Sequence, residues 1–264
     1  MAPLVTLTTD FGTRDPYVAA MKGVIHSRCE SVSVVDLSHE IAPHNILEAA
    51  LFIATCADRF PAGTIHTVVV DPGVGTERHP VVVSSGGYRF VCPDNGLLTL
   101  FLQKHPIEEV RIIAGPESVS RRVSGTFHGR DIFAPTAAML ACGIGMESIG
   151  PGLSELARLS IPRASREPSG IIVGEIIHID RFGNLITNIH RTLCGGSENT
   201  GRGLAQITAG GFTLDRISDC YGDVPAGDVQ ALWGGSDYLE IAVNLGNAHE
   251  TLGLSIADPV TILI

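Results

Sequence analysis

The chain has 264 residues, 44% hydrophobic and 17% charged, with a formal net charge of −10. That length supports one large domain or two modest ones, each with its own core. The acidic balance argues against a nucleic-acid or anionic-membrane partner, because such binding needs a basic patch that releases counterions.

The opening stretch alternates between the two periodicities. Leu4–Thr8 predicts a strand, Pro16–Ser27 a helix with Pro16 in its first turn, and Val32–Leu37 a strand. Asn45–Ala57 predicts an amphipathic helix and Ile65–Val70 a strand. Strand, helix, strand, helix is the order of a parallel α/β sheet. Pro80–Cys92 holds two β-rich runs around Gly86-Gly87, a hairpin signature. A short helix at Leu97–Gln103, a strand at Val110–Ala114 and a helix around Asp131–Ala141 complete this half.

Ile161–Gly170 is polar and rich in Pro and Ser, which predicts a linker between a domain over 1–162 and a second over 170–264. Beyond it come strand-like runs at Ile171–Asp180, Leu185–Ile189, Leu204–Thr208, Phe212–Ile217, Val229–Leu232 and Tyr238–Val243, with Gly-containing turns and no good helix between them. The expected fold is therefore an N-terminal α/β sheet domain followed by a smaller antiparallel, barrel-like β domain. No apolar run approaches the roughly 20 residues that span a bilayer, so no membrane partner is expected. The six scattered cysteines form no C-x-x-C pair and follow no secretory segment, which predicts reduced thiols in a cytoplasmic protein.

Polar clusters fall where these strands end, which in open α/β sheets is where ligands bind. In TTDFGTRDPY, Asp10 ends the first strand, where a carboxylate can accept both hydroxyls of a ribose, and Asp15 precedes the helix, where it can equally be an N-cap. In VVVDPGVGTERHPV, Asp71 ends a strand and Arg78 lies in the same loop; an Asx turn with a surface arginine is the alternative. Asn95 in PDNG reads first as a turn residue. His128 in TFHGRDIFAP lies in a bend just before a helix, whose N-terminus disfavours the protonated ring. In the second half, IDRFGNLITN offers Asp180, Phe182 and Asn184, and GGSDYLEIAVNLGNAHE offers Ser236, Tyr238, Asn244, Asn247 and the backbone of Ala248. Aromatic and amide groups together suit a planar heteroaromatic base. Dinucleotide, Walker, zincin and nucleophile-elbow motifs are absent, and a metal site built from Asp10, Asp71 and His128 has no characteristic spacing behind it.

TTDFG, VVDPGVGTER, PDNG, TFHGRDIFAP, DRFGNLITN and YLEIAVNLGNA, in this order from Leu4 to about Ile264, resemble the S-adenosylmethionine hydroxide adenosyltransferases, or S-adenosyl-L-methionine hydrolases, relatives of fluorinase and chlorinase. The resemblance implies a homotrimer with active sites between subunits, no metal and no cofactor. The implied reaction is attack of water or hydroxide on the ribose 5′-carbon of S-adenosyl-L-methionine, releasing adenosine and L-methionine. It maps the catalytic trio onto Asp71, Arg78 and His128, and the ribose hydroxyls onto Asp10. It places the methionine moiety near Asp180 and Ser236, and the adenine near Phe182, Asn184, Asn247 and Ala248, with Asp15, Asn95 and Tyr238 as further substrate contacts. Tyr17 stands near where the halogenases use a serine for the methionine carboxylate, and His128-Gly129 replaces their Ser-containing halide pocket. The rival readings are a non-catalytic S-adenosylmethionine or adenosine binder, an adenosyltransferase using another nucleophile such as halide, and a metal-dependent hydrolase.

Overall fold

The computed structural model describes residues 2–114, 119–195 and 204–263. The chain divides into two compact units, Met1–Ser160 and Ile161–Ile264.

In the first unit, six strands form one sheet: β1 (Leu4–Thr9), β2 (Ser33–Ser38), β3 (Ile65–Val69), β4 (Pro80–Ser85), β5 (Tyr88–Pro93) and β6 (Ile107–Ile112), in the order β2-β1-β3-β5-β4-β6. β1, β2, β3 and β5 run parallel, while β4 is antiparallel to both neighbours. The sheet is thus mixed, because the Gly86-Gly87 turn, with both residues in the left-handed region, returns β5 directly beside β4. β3 is buried along its whole length and shows no polar alternation, as a central strand covered on both faces must. Helices α1 (Tyr17–Arg28) and α4 (Ala134–Ala141) bury Met21, Ile25, Ala137 and Leu140 against Val5, Leu7 and Val69 on one face. Helices α2 (Ile46–Cys56) and α3 (Phe101–Lys104) bury Ile53 and Phe101 with Val68, Val83 and Phe90 on the other. Adjacent Val68 and Val69 serve opposite layers, as a pleated strand requires.

Two helices begin differently from expectation. Leu97–Leu100 is a turn, so the helix expected from Leu97 starts at Phe101; the buried leucines of the turn produced the helical pattern. The helix expected from Asp131 begins inside a π-helical turn at Gly129–Phe133, a geometry that recurs at functional sites, and becomes α-helical only at Ala134.

The second unit contains β7 (Ser165–Arg166), β8 (Ile172–Ile179), β9 (Leu185–His190), β10 (Leu204–Ala209), β11 (Phe212–Ser218), β12 (Val229–Trp233), β13 (Tyr238–Val243) and β14 (Pro259–Leu263). The pairing of β14 with β8 closes seven of these strands into a barrel, around Ile176, Leu185, Ile189, Ile217, Ile241 and Ile262. β7 lies inside the stretch expected to be linker and pairs with β8. The barrel departs from pure antiparallel order at β11 and β12, which pair in parallel at Ile217 with Ala231 and Ser218 with Leu232. A short helix, α5 (Ala248–Leu252), and the closing strand β14 both lie beyond Val243, the end of the last strand-like run expected from the sequence. Asn247 caps it by accepting from the Glu250 amide, and Gly253 ends it at φ +65°, so its start and stop signals were present in the chain.

Candidate active site

The strand order decides where the site lies. The chain leaves β1 for β2 on one side and returns to β3 on the other, so the carboxyl ends of β1 and β3 border a topological switch point, where a crevice opens. Thr9 pairs with Val69, and Asp10, one residue past the first, and Asp71, two past the second, reach one cleft of about 280 Å³. Phe11, Tyr17, His44, Val74, Phe127 and His128 also line it.

The Asp71 loop and the His128 loop meet backbone to backbone. Gly75 has φ +78°, and a Cβ on it would sit 2.5 Å from the Gly125 carbonyl, so both the conformation and the close approach require glycine. On this junction Arg78 donates through Nε to Asp71 Oδ1 at 2.9 Å and through Nη2 to Asp71 Oδ2, a bidentate fork. Nη2 also lies 2.7 Å from Nδ1 of His128. The Asp71 and Arg78 side chains are 5% and 10% exposed, which shields the pair from water's screening. The guanidinium stands over the Phe133 ring, and its Nη1 is buried without a hydrogen-bond partner among the described residues.

Arginine only donates, so Nδ1 of His128 accepts, and the ring is the neutral tautomer with its proton on Nε2. Its pKa is lowered, first by burial and then by the Arg78 charge, with Asp71 and Asp131 opposing. Asp131, 3% exposed, secures the His128 loop: it accepts from the Ser124 amide at 2.8 Å and is forked by Arg130 at 2.7 and 2.9 Å. Asp10 accepts from the His44 amide through Oδ2 at 2.9 Å, and its other oxygen has no hydrogen-bond partner among the described residues.

In the barrel unit, Asp180 organises its own loop, accepting from the Phe182 and Asn184 amides at 2.8 and 2.9 Å and from the Asn184 side chain at 2.9 Å. Phe182 is left 73% exposed while Asn184 is buried. This loop packs on the next one: Gly183 at φ +81° leaves room for Asn247, whose Oδ1 would lie 2.0 Å from a Cβ there, and the Gly183 carbonyl accepts from the His249 amide. Ala248 is fully buried.

Both halves of the chain match family models, the SAM hydroxide adenosyltransferase N-terminal domain over residues 5–150 and the corresponding C-terminal domain over 174–261. The chain belongs to the SAM hydroxide adenosyltransferase family. It is 37% identical over 270 residues to an (R)-S-adenosyl-L-methionine hydrolase of Thermus thermophilus, with all of both chains covered. It is 34% identical over 215 residues to a fluorinase of Actinopolyspora mzabensis, covering 72% of each. Among solved structures, an uncharacterized conserved protein from Thermotoga maritima superimposes with a TM-score of 0.90 at 32% identity, over 98% of this chain and all of that one.

Not every residue assigned from the family resemblance lies at the cleft. Asn95 donates to the Val70 carbonyl and accepts from the Leu97 amide, holding a turn outside the cleft lining. Asp15 is exposed, is not among the cleft-lining residues, and does not cap α1, whose N-cap position is Pro16 with no side-chain bond. Within the barrel unit, Ser236 and Tyr238 stand at one end of β13, and Asn247 and Ala248 follow its other end. Tyr238 packs edge-on to His190, 5.1 Å between centroids. Asn244, also singled out, spends its amide on the Val224 carbonyl. Reading by motif missed His44, Asp131 and the rings of Phe11 and Phe127. His44 had a signal, since its place just before the cap residue Asn45 puts it at a helix entry, and its φ of +67° makes that entry a sharp turn.

Proposed function

We propose that this chain hydrolyses S-adenosyl-L-methionine to adenosine and L-methionine, by in-line attack of water on the ribose 5′-carbon at the Asp71, Arg78 and His128 cluster. The observation that carries the reading is that Asp71 and His128, both in the lining of the switch-point cleft, are joined to each other through Arg78, in a chain related over its full length to a protein named as such a hydrolase.

The chemistry asks little of the protein beyond placement. The sulfonium leaves as a neutral thioether, taking the electron pair of the breaking C5′–S bond, so no acid is required there. The C5′–O bond forms as the water loses its proton. Catalysis then reduces to holding a water in line and removing its hydration shell. Arg78 occupies the Nδ1 lone pair of His128, which leaves the ring an Nε2–H donor that fixes a water's orientation. Asp71 keeps one lone pair per oxygen beyond its two bonds to Arg78 and is the proton acceptor in this reading. Arg78 favours hydroxide character in the attacking oxygen. Asp10 holds the ribose hydroxyls through the oxygen that His44 does not use. The barrel loops carrying Asp180, Phe182, Asn184 and Asn247 supply methionine and adenine contacts. The same reading makes the protein a cytoplasmic homotrimer with sites at subunit interfaces, which light scattering tests against the 27.9 kDa chain mass. Among the described residues no helix is long and apolar enough to cross a membrane.

The deciding experiment incubates purified protein with S-adenosylmethionine in water enriched in oxygen-18, with and without chelator, and follows adenosine by mass spectrometry. Adenosine carrying the heavy oxygen, unaffected by chelator and lost in Arg78→Ala and His128→Ala, is the expected result. Intact ligand binding without adenosine would leave a binding protein instead.

A further inference from the structure

Three aromatic rings form one wall of the cleft. Tyr17 meets Phe127 edge-on at 5.2 Å between centroids, Phe11 meets Tyr17 at 5.8 Å, and Phe11 meets Phe127 at 6.1 Å. Gly129 makes this packing possible, since a Cβ there would lie 3.2 and 3.3 Å from the Phe11 and Phe127 rings. The Arg130 guanidinium already covers a face of Phe127, 4.9 Å from its centroid. Tyr17 is 46% exposed while Phe11 and Phe127 are only half-buried, so Tyr17 offers the most open ring of the three.

A cation entering this cleft loses water and needs a replacement for it. The lining contains two carboxylates, Asp10 and Asp71. Arg78 neutralises Asp71 through its fork, and Asp10 is committed to the ribose in the hydrolase reading. An aromatic face is a further source of negative potential, and it attracts a soft, weakly hydrated cation without ending its reactivity as a leaving group.

We propose that Tyr17, braced by Phe11 and Phe127, is a specificity-determining residue that recognises the positive charge of the sulfonium and discriminates substrate from neutral thioethers. The inference rests on the hydrolase reading. It gives a phenol ring a function at a position where a hydroxyl contact to the carboxylate would otherwise be sought.

The test compares two ligands that are not hydrolysed: the neutral thioether S-adenosylhomocysteine, and sinefungin, in which a protonated aminomethine group replaces the sulfonium. In Tyr17→Leu, binding of the cationic ligand weakens by about 2- to 30-fold, the span of a cation–π contact, while the thioether changes less than about twofold. Tyr17→Phe keeps the preference, because the ring and not the hydroxyl supplies it. Equal weakening of both ligands in Tyr17→Leu, or loss of the charge preference in Tyr17→Phe, would overturn the proposal. Adenosine formation by the unaltered protein is measured alongside. Adenosine without a charge-selective loss removes the aromatic wall alone, whereas a charge-selective loss without adenosine removes the hydrolase reading and leaves the wall in a binding protein.

Discussion

At the scale of single residues, one arginine ties the site together. Arg78 fills both oxygens of Asp71 and the Nδ1 of His128, so Arg78→Ala frees a buried carboxylate and lets the imidazole ring rotate. By analogy with loss of a preorganised electrostatic donor, we expect kcat to fall by about 10²- to 10³-fold with a smaller change in KM, measured by adenosine release. Arg78→Lys should fall nearly as far, since a single ammonium cannot make the fork. The tautomer of His128 also sets a pH dependence. Its pKa lies below the ordinary histidine value, so the neutral ring persists above that lowered pKa and protonation begins only as the pH drops through it. Protonation places an Nδ1–H against the Arg78 donor. The rate is therefore expected to stay flat through neutral pH and to decline on the acid side by about tenfold per unit, a limb that the pH profile of kcat/KM locates.

The loops and caps that carry these residues make their own predictions. Gly75→Ala forces a left-handed residue to carry a Cβ into the Gly125 carbonyl. We expect a loss of about 1 to 3 kcal/mol in denaturant unfolding, and a fall in rate larger than that loss explains, because the Arg78 and His128 loops are pushed apart. Gly63→Ala is the matched control: its φ is +87° but nothing lies within 4 Å of its Cβ position, so stability falls without loss of rate. In the barrel unit, Asn247→Ala removes the cap of α5 and its packing on Gly183, and should cost about 1 kcal/mol by the usual value of a capping side chain. If Asn247 also meets the substrate, KM rises beyond what destabilisation accounts for, which initial-rate kinetics on the folded variant would show.

For the molecule as a whole, the buried histidine of the central strand links stability to pH. His66 is fully buried on β3, bonded to the Thr6 hydroxyl at 2.8 Å, with the rings of Phe60, Tyr88 and Phe90 around it. Burial pushes its pKa down to about 4, from 6.5 for the free side chain. Here the folded value is the lower one, so the unfolded chain takes up the proton first, and the fold loses stability as the pH drops from 6.5 toward 4. The loss is about 3 kcal/mol at the acid end of that window and absent above it. Thermal melts between pH 7 and 4 should show this slope, and His66→Phe should flatten it.

The sequence by itself determined the order of strands and helices in the first unit, because buried apolar runs, a proline at a helix start and paired glycines in a hairpin are local signals. It also determined the family, through six ordered motifs. A barrel-like domain was legible from its strand-like runs, but the strand that closes it was not among them: β14 meets β8 far back in the chain, and the parallel register of β11 with β12 has no local sign. The site divides along the same line. Asp71, Arg78 and His128 were readable as strand-end and helix-start residues, yet their convergence depends on β3 lying beside β1 and on two glycines, Gly75 and Gly125, fifty positions apart, letting two loops touch. Asn95 keeps the turn role that its own sequence suggests first, whereas Asp15, readable either as a substrate contact or as an N-cap, is left exposed by the tertiary structure. A motif specifies the chemistry a residue can do, whereas its partners and its exposure are set by chain segments distant in sequence, and those decide whether the chemistry is available.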